Sequence, residues 1–232
     1  MRASPWHAVE VDGEPLLRTV DVLYQPTATL GLASRRRLRT HSRMCCVVSF
    51  VPADGRFWDM TAEGAAVART WRDHGLDVEE FVGDAAAVDA VGASLAMSAV
   101  AHIAAHALER PLVSESGIVL ADGVLTARRV LAVGAPAELL FLSACSTGRA
   151  LLEEEEQFTF AAAGLAAGAA TVISTLWPVP DVAGALVAER FYDAWLSGHT
   201  PVQALRSAQL HLLDTRDFED PFFWAPYTVT GA

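Results

Sequence analysis

Among residue types able to do covalent chemistry, this 232-residue chain offers three thiols, Cys45, Cys46 and Cys145, and an imidazole, His106, ahead of the last of them. Cys45 and Cys46 are neighbours inside the apolar run Met44–Phe50 and cannot easily bridge each other. No CxxC spacing suggests zinc. Cys145 stands in Ser143-Ala144-Cys145-Ser146-Thr147-Gly148, small and turn-forming types that leave room for a substrate backbone. A free thiol is only slightly ionised near neutral pH. A nearby imidazole raises the thiolate fraction and later protonates a leaving amine. The pair therefore suits acyl transfer, with the amide N–H groups of Cys145 and Ala107 as an oxyanion hole. A buried structural thiol is the plainer reading of an isolated cysteine; the order and placing of His106 favour catalysis. His102, four residues earlier, reads as a core or supporting residue. It belongs to no His-Glu-x-x-His pattern, so neither a metal nor an organic cofactor is expected.

The elements that must position these residues alternate between strand and helix. Strands are expected over Leu17–Tyr24, Met44–Phe50, Val78–Val82, Ala96–Ala104, Gly117–Leu120, Glu138–Leu142, Thr171–Leu176 and Phe222–Thr228. Helices fall between them. Thr27 caps one to about Arg37, Thr61–His74 ends at Gly75, Asp84 caps one to about Ala93, and Thr126 caps one to Val133. Glu153–Ala167, Asp181–Ser197 and Pro201–Leu213 follow. The alternation predicts one α/β domain over residues 1–232, a mostly parallel sheet with helices on both faces. In such sheets reactive groups gather at the carboxyl ends of the strands. His106 and Cys145 each follow a core strand, and a single crossover helix separates those strands.

The motif Leu142-Ser143-Ala144-Cys145-Ser146-Thr147-Gly148, preceded by Ala101-His102-Ile103-Ala104-Ala105-His106, resembles the CHAT domain. This is a largely bacterial family related to caspases and separases and often attached to TPR repeats. The likeness continues through Glu155-Glu156, Gly168-Ala169, Thr175-Leu176-Trp177-Pro178-Val179-Pro180-Asp181, Phe191-Tyr192, Gly198, Pro201-Val202-Gln203-Ala204-Leu205 and Trp224-Ala225. It implies a caspase-like fold and peptide-bond hydrolysis, with His106 as base and Cys145 as nucleophile. Two positions depart from the family pattern. Ala107 replaces the usual glycine after the histidine, which would cost about 1 kcal/mol if that backbone needs φ > 0. Ser146 replaces a frequent glutamate.

Ser143 and Asp181 are the candidates for substrate binding. Metacaspase-like relatives carry an aspartate two residues before the cysteine; here that position is Ser143, so their specificity acid is not carried over. Asp181 has two readings, the N-cap of the following helix or an acid that selects a basic P1 residue. Glu153–Glu156 reads as a solvated helix start, and the segment around Arg149 as a possible activation cleavage site.

The formal net charge of -11, with arginine as the only strong base, argues against nucleic acid or anionic membrane as the main partner. The basic run Arg35-Arg36-Arg37-Leu38-Arg39 reads as a solvated helix end. Ala90–Leu108 and Gln157–Pro180 are uncharged and long enough to span a bilayer, but glycines, histidines and prolines argue for helix, turn and buried strand instead. Sparse thiols and no signal segment suit the cytoplasm. The expectation is a cysteine endopeptidase acting on a protein or peptide substrate, controlled by a TPR-like or other regulatory partner. An interaction module that kept the fold without activity is the alternative, with Ala107 as its support. A nucleotide-binding domain is disfavoured, because no GxGxxG or Walker-type loop follows any strand.

Overall fold

The computed structural model describes residues 4–37, 44–51, 60–144 and 159–232. The chain opens with a small hairpin, β1 (Glu10–Val11) and β2 (Glu14–Pro15), turned by Asp12 and Gly13 at φ 55° and 84°. Both central residues at positive φ is the turn whose twist matches paired strands. Helix α1 (Ala28–Arg35) follows Thr27, whose hydroxyl accepts the Leu30 N–H at 3.1 Å.

The central sheet begins with β3 (Met44–Phe50), α2 (Met60–Asp73) and β4 (Asp77–Val82). Gly75 ends α2 at φ 72°, with the Leu76 N–H bonded back to the Trp71 carbonyl. Then come α3 (Val88–Leu95), β5 (Val100–Ala105), the short strands β6 (Ala107–Leu108), β7 (Gly117–Leu120) and β8 (Gly123–Thr126), α4 (Ala127–Val133) and β9 (Leu139–Ser143). The remainder is α5 (Phe160–Ala167), β10 (Thr171–Thr175), α6 (Asp181–Leu196), α7 (Pro201–Leu213), α8 (Pro221–Trp224) and β11 (Tyr227–Gly231).

Six strands form the main sheet in the order β11-β10-β9-β5-β3-β4, all parallel except β11, which runs antiparallel to β10. The apolar runs of β3, β5 and β9 are buried on both faces, as a doubly covered parallel sheet demands. Alternation along each strand sorts the core. Cys45, Val47, Leu139 and Phe141 face α2, α6 and α7, while Cys46, Val48, Leu140 and Leu142 face α3, α4 and α5. The vicinal cysteines thus point to opposite faces, and both are free thiols. This is an α/β fold with a mostly parallel central sheet covered by helices on both faces.

Four expectations are corrected. Leu17–Tyr24 is not a strand: Leu16–Arg18 is a turn of 3-10 helix, and the Arg206 guanidinium donates to the Leu17 and Arg18 carbonyls at 2.6 Å each. Its backbone is satisfied by a side chain, leaving only a bridge from Tyr24 to Thr230. Asp84 does not cap α3; Asp122, from the β7–β8 turn, accepts the Val88 N–H at 2.8 Å. Helix α5 starts after its own cap, Thr159, and is not continuous from Glu153; residues 153–156 lie outside the described residues. Phe222–Thr228 divides into α8, capped by Asp220 with Pro221 at its first position, and β11. Ala90–Leu108 resolves into α3, β5 and β6, and among the described residues no helix is long and apolar enough to cross a membrane.

Candidate active site

His106 is the residue that leaves the sheet. It directly follows β5, is partly buried, and its carbonyl accepts the Val119 N–H at 2.8 Å, which anchors its backbone to β7. That bond also fixes the ladder beyond it. Ala107 faces Ile118 as the non-hydrogen-bonded member of the antiparallel pair, so its N–H turns away from β7. The only non-glycine residue at positive φ among the described residues is Asp12. Ala107 therefore sits in ordinary extended backbone, and the strain that alanine would bring at a left-handed position does not arise.

Strand β9 lies directly beside β5 in parallel, with Ala104 opposite Ser143. His106 and Cys145 each follow two residues later in the chain. Cys145, Ser146, Arg149 and Glu153–Glu156 lie outside the described residues. The end of β9 is pinned by the Thr175 hydroxyl of β10, which donates to the Ala144 carbonyl at 2.7 Å.

Ser143 and Asp181 meet at one cavity, which opens at the carboxyl edge of β9 and β10. Its lining is Met60, Glu63, Ser143, Ala144, Thr175, Val179, Asp181, Gly184 and Tyr227, and it measures about 300 Å³ including its open mouth. Asp181 is the first residue of α6, not its cap. Pro180 holds the cap position, and no side chain caps that end. The capping reading of Asp181 is thereby replaced by a place in the cavity wall.

Glu63 was not singled out from sequence. It projects from the first turn of α2, is only 3% exposed, and pairs with a residue that was. His102, fully buried in β5, lies 3.1 Å through Nε2 from Glu63 Oε1 and 3.1 Å through Nδ1 from the Tyr192 hydroxyl. A consistent proton arrangement has Tyr192 O–H donating to Nδ1 and Nε2–H donating to the carboxyl. Burial pushes the Tyr192 phenol well above its ordinary range and keeps that donor protonated. Phe141, Tyr192 and Phe191 pack around the pair with ring centroids 5.0–5.7 Å apart. His102 is thus a core residue with a task, holding Glu63 against the sheet. The available signal was Gly64, a glycine inside a helix. A Cβ there would fall 1.7 Å from Ser49 Oγ, so α2 rides directly on β3 and carries its neighbour into the sheet edge.

Cys45 and Cys46 are removed from the chemistry. Burial pushes both thiols up to about 12. Among the described residues no cluster of three or more His, Cys, Asp or Glu side chains could hold a metal ion.

Comparison with known proteins agrees with this geometry. Of solved structures, the Arg-specific cysteine proteinase gingipain R superposes with a TM-score of 0.65 at 11% identity, covering 86% of this chain and 50% of that one. The Saccharomyces cerevisiae separase–securin complex gives 0.64 at 11% identity, covering 98% of this chain and 14% of that one. Both likenesses are of fold. By sequence, tetratricopeptide repeat protein 28 of Homo sapiens is 30% identical over 113 residues, and that of Mus musculus 29%. These stretches cover 49% of this chain and only 5% of either relative. The sequence model of the CHAT domain matches residues 1–232, and the chain belongs to the CHAT domain family, with the fold of the clan CD cysteine peptidases.

Proposed function

We propose that this chain is a cysteine endopeptidase working through a His106/Cys145 dyad. His106 takes the Cys145 thiol proton, and the thiolate attacks the scissile carbonyl. The tetrahedral oxyanion accepts hydrogen bonds from the amides of Ala107 and Cys145. Collapse breaks the C–N bond as His106 returns the proton to the leaving amine, and water then hydrolyses the thioester. The observation that carries this reading is His106 at the carboxyl end of β5, beside β9 in register, with the Ala107 N–H turned off the ladder. An interaction module without activity had Ala107 as its support, and that support falls away with its unstrained backbone.

Residues 1–232 are proposed to act as one cytoplasmic unit. Its regulation would come from a TPR-like partner or segment, a reading supported by the tetratricopeptide repeat relatives. The test is cleavage of a mixed peptide library by the purified chain, with and without candidate partners, beside Cys145→Ala. Cleavage confined to the unaltered chain is the expected result. No cleavage under any condition, with Cys145 unreactive, contradicts it.

A further inference from the structure

The small sheet β6-β7-β8 carries His106 on a face that neither core cluster covers. Its inner face holds Ile118, Leu120 and Leu125, all buried, and Ala107 packs with them into the core on the side of α3, α4 and α5. Side chains alternate along a strand, so the outer face holds Leu108 of β6, Val119 of β7 and Val124 of β8. Pairing lines them up. The His106 carbonyl takes the Val119 N–H, and Val119 stands opposite Val124. All three are half-buried apolar side chains, and among the described residues none packs against either core cluster. His106, two residues before Leu108, shares their face.

The edge of the same sheet adds a second, independent sign. β6 is its outermost strand. The Ala107 N–H and carbonyl point away from β7, and no described residue bonds either of them. An open backbone edge and an open apolar face therefore meet at His106 and Ala107. An imidazole that protonates a leaving amine must lie within hydrogen-bond reach of the nitrogen after the scissile bond. Cys145 follows β9 in the chain, so the acyl part of a substrate belongs on that side of the imidazole. The departing part then lies on the other side, over the stripe. Two strand spacings, about 10 Å, separate His106 from Val124, which is the length of three extended residues.

We infer that this outer face binds the substrate segment after the scissile bond, and that Leu108, Val119 and Val124 select apolar side chains among its first three residues. The inference rests on the endopeptidase reading above. Acidic side chains are the disfavoured case, since the stripe offers them no hydrogen-bond partner and the chain's formal net charge of -11 repels them.

The test reads the mixed peptide library for the residues that follow each cut, and adds a binding arm that needs no catalysis. In that arm two pentapeptides with free amino termini, Gly-Leu-Phe-Gly-Gly and Gly-Asp-Asp-Gly-Gly, stand in for the leaving segment. Each is titrated against Cys145→Ala by ligand-observed NMR. Apolar residues should exceed acidic ones at least about tenfold within three positions after the cut, the ratio that burial of one such side chain supplies. Gly-Leu-Phe-Gly-Gly should bind saturably and its acidic counterpart should not. Val124→Asp, two strands away from the imidazole, should bring the cut ratio toward one and abolish the pentapeptide binding. If that variant does not fold, Val119→Thr, close to valine in shape, should still lower the cut ratio about twofold. Cleavage with no preference after the bond, or a preference that survives Val124→Asp in the folded protein, would overturn the inference and leave the endopeptidase standing. No cleavage beside saturable pentapeptide binding would overturn the endopeptidase reading, and the inference with it.

Discussion

At the residue scale, two of the three thiols, Cys45 and Cys46, are set apart by their surroundings. Cys45 and Cys46 are fully buried, on opposite faces of β3, and burial raises both to about 12, so neither supplies thiolate near neutral pH. The account therefore predicts one alkylated thiol per native chain with iodoacetamide at mildly alkaline pH, lost in Cys145→Ala, and three after denaturation. Labelling of Cys45 or Cys46 in the native protein would contradict the burial argument. His102 carries a second prediction. Its removal in His102→Ala leaves a hole among Phe141 and Tyr192 and strips the partner from a buried carboxyl oxygen, so unfolding free energy should drop by about 3 kcal/mol in urea titrations. A loss within experimental error would mean that Glu63 does not depend on it. That the strands leading to His106 and Cys145, β5 and β9, carry a parallel core was legible in sequence from motif and strand order, and they lie side by side. Glu63 was not legible, because nothing local says where the first turn of a helix will lie across a sheet.

At the element scale, two helix glycines make opposite predictions. Gly64→Ala puts a methyl group onto Ser49 and within 3.3 Å of Val47, so α2 must lift from β3. Despite the better helix propensity it should destabilise by about 1–3 kcal/mol. Gly184→Ala meets only ordinary contacts and should be neutral or stabilising by up to about 1 kcal/mol. Thermal unfolding of the two variants side by side checks both. If they shift alike, the close approach of α2 is wrong. The same scale explains which elements sequence revealed. Helices α1 and α4 announced themselves through Thr27 and Thr126, each accepting a backbone N–H three residues on; α7, expected over Pro201–Leu213, has a cap the sequence reading did not name, Thr200, with Gln203 returning the bond. Leu17–Tyr24 had the alternation of a strand without a partner strand, and its carbonyls were claimed by Arg206, a residue almost two hundred positions away. Asp84 lost its cap role to Asp122 for the same reason, since a distant turn arrives at the helix start. Tertiary neighbours, not local propensity, decided both.

At the scale of the whole molecule, the N-terminal segment is tied to the C-terminal half through one buried histidine. His7 bonds through Nδ1 to the Tyr24 hydroxyl at 2.9 Å and sits through Nε2 3.2 Å from the Gln209 amide, whose nitrogen also donates to the Trp224 and Tyr227 carbonyls. Desolvation lowers its pKa to about 4, only partly opposed by the Ala225 backbone. Between that value and the ordinary 6.5 the unfolded chain binds more protons, so stability is fully present above the upper limit and is lost as pH falls toward the lower. The stability advantage of the unaltered chain over His7→Gln should shrink by about 3 kcal/mol across that window. Urea titrations at both ends measure it, and a constant gap would mean that His7 does not titrate there.

The fold as a whole was readable because strands buried on both faces are written as largely apolar runs, as β3, β5 and β9 are, while β10 showed itself through its β-branched Thr171, Val172 and Ile173. What such a sheet is for depends on the loops at its carboxyl edge, and the central claim is that His106 activates Cys145 there. Its most direct test is the rate of Cys145 alkylation against pH, read by peptide mass spectrometry, in the unaltered chain and in His106→Gln. The account predicts a reaction already fast near neutral pH, with its midpoint well below that of a free thiol, and a return to free-thiol behaviour in the variant. Identical profiles for the two proteins would contradict the dyad.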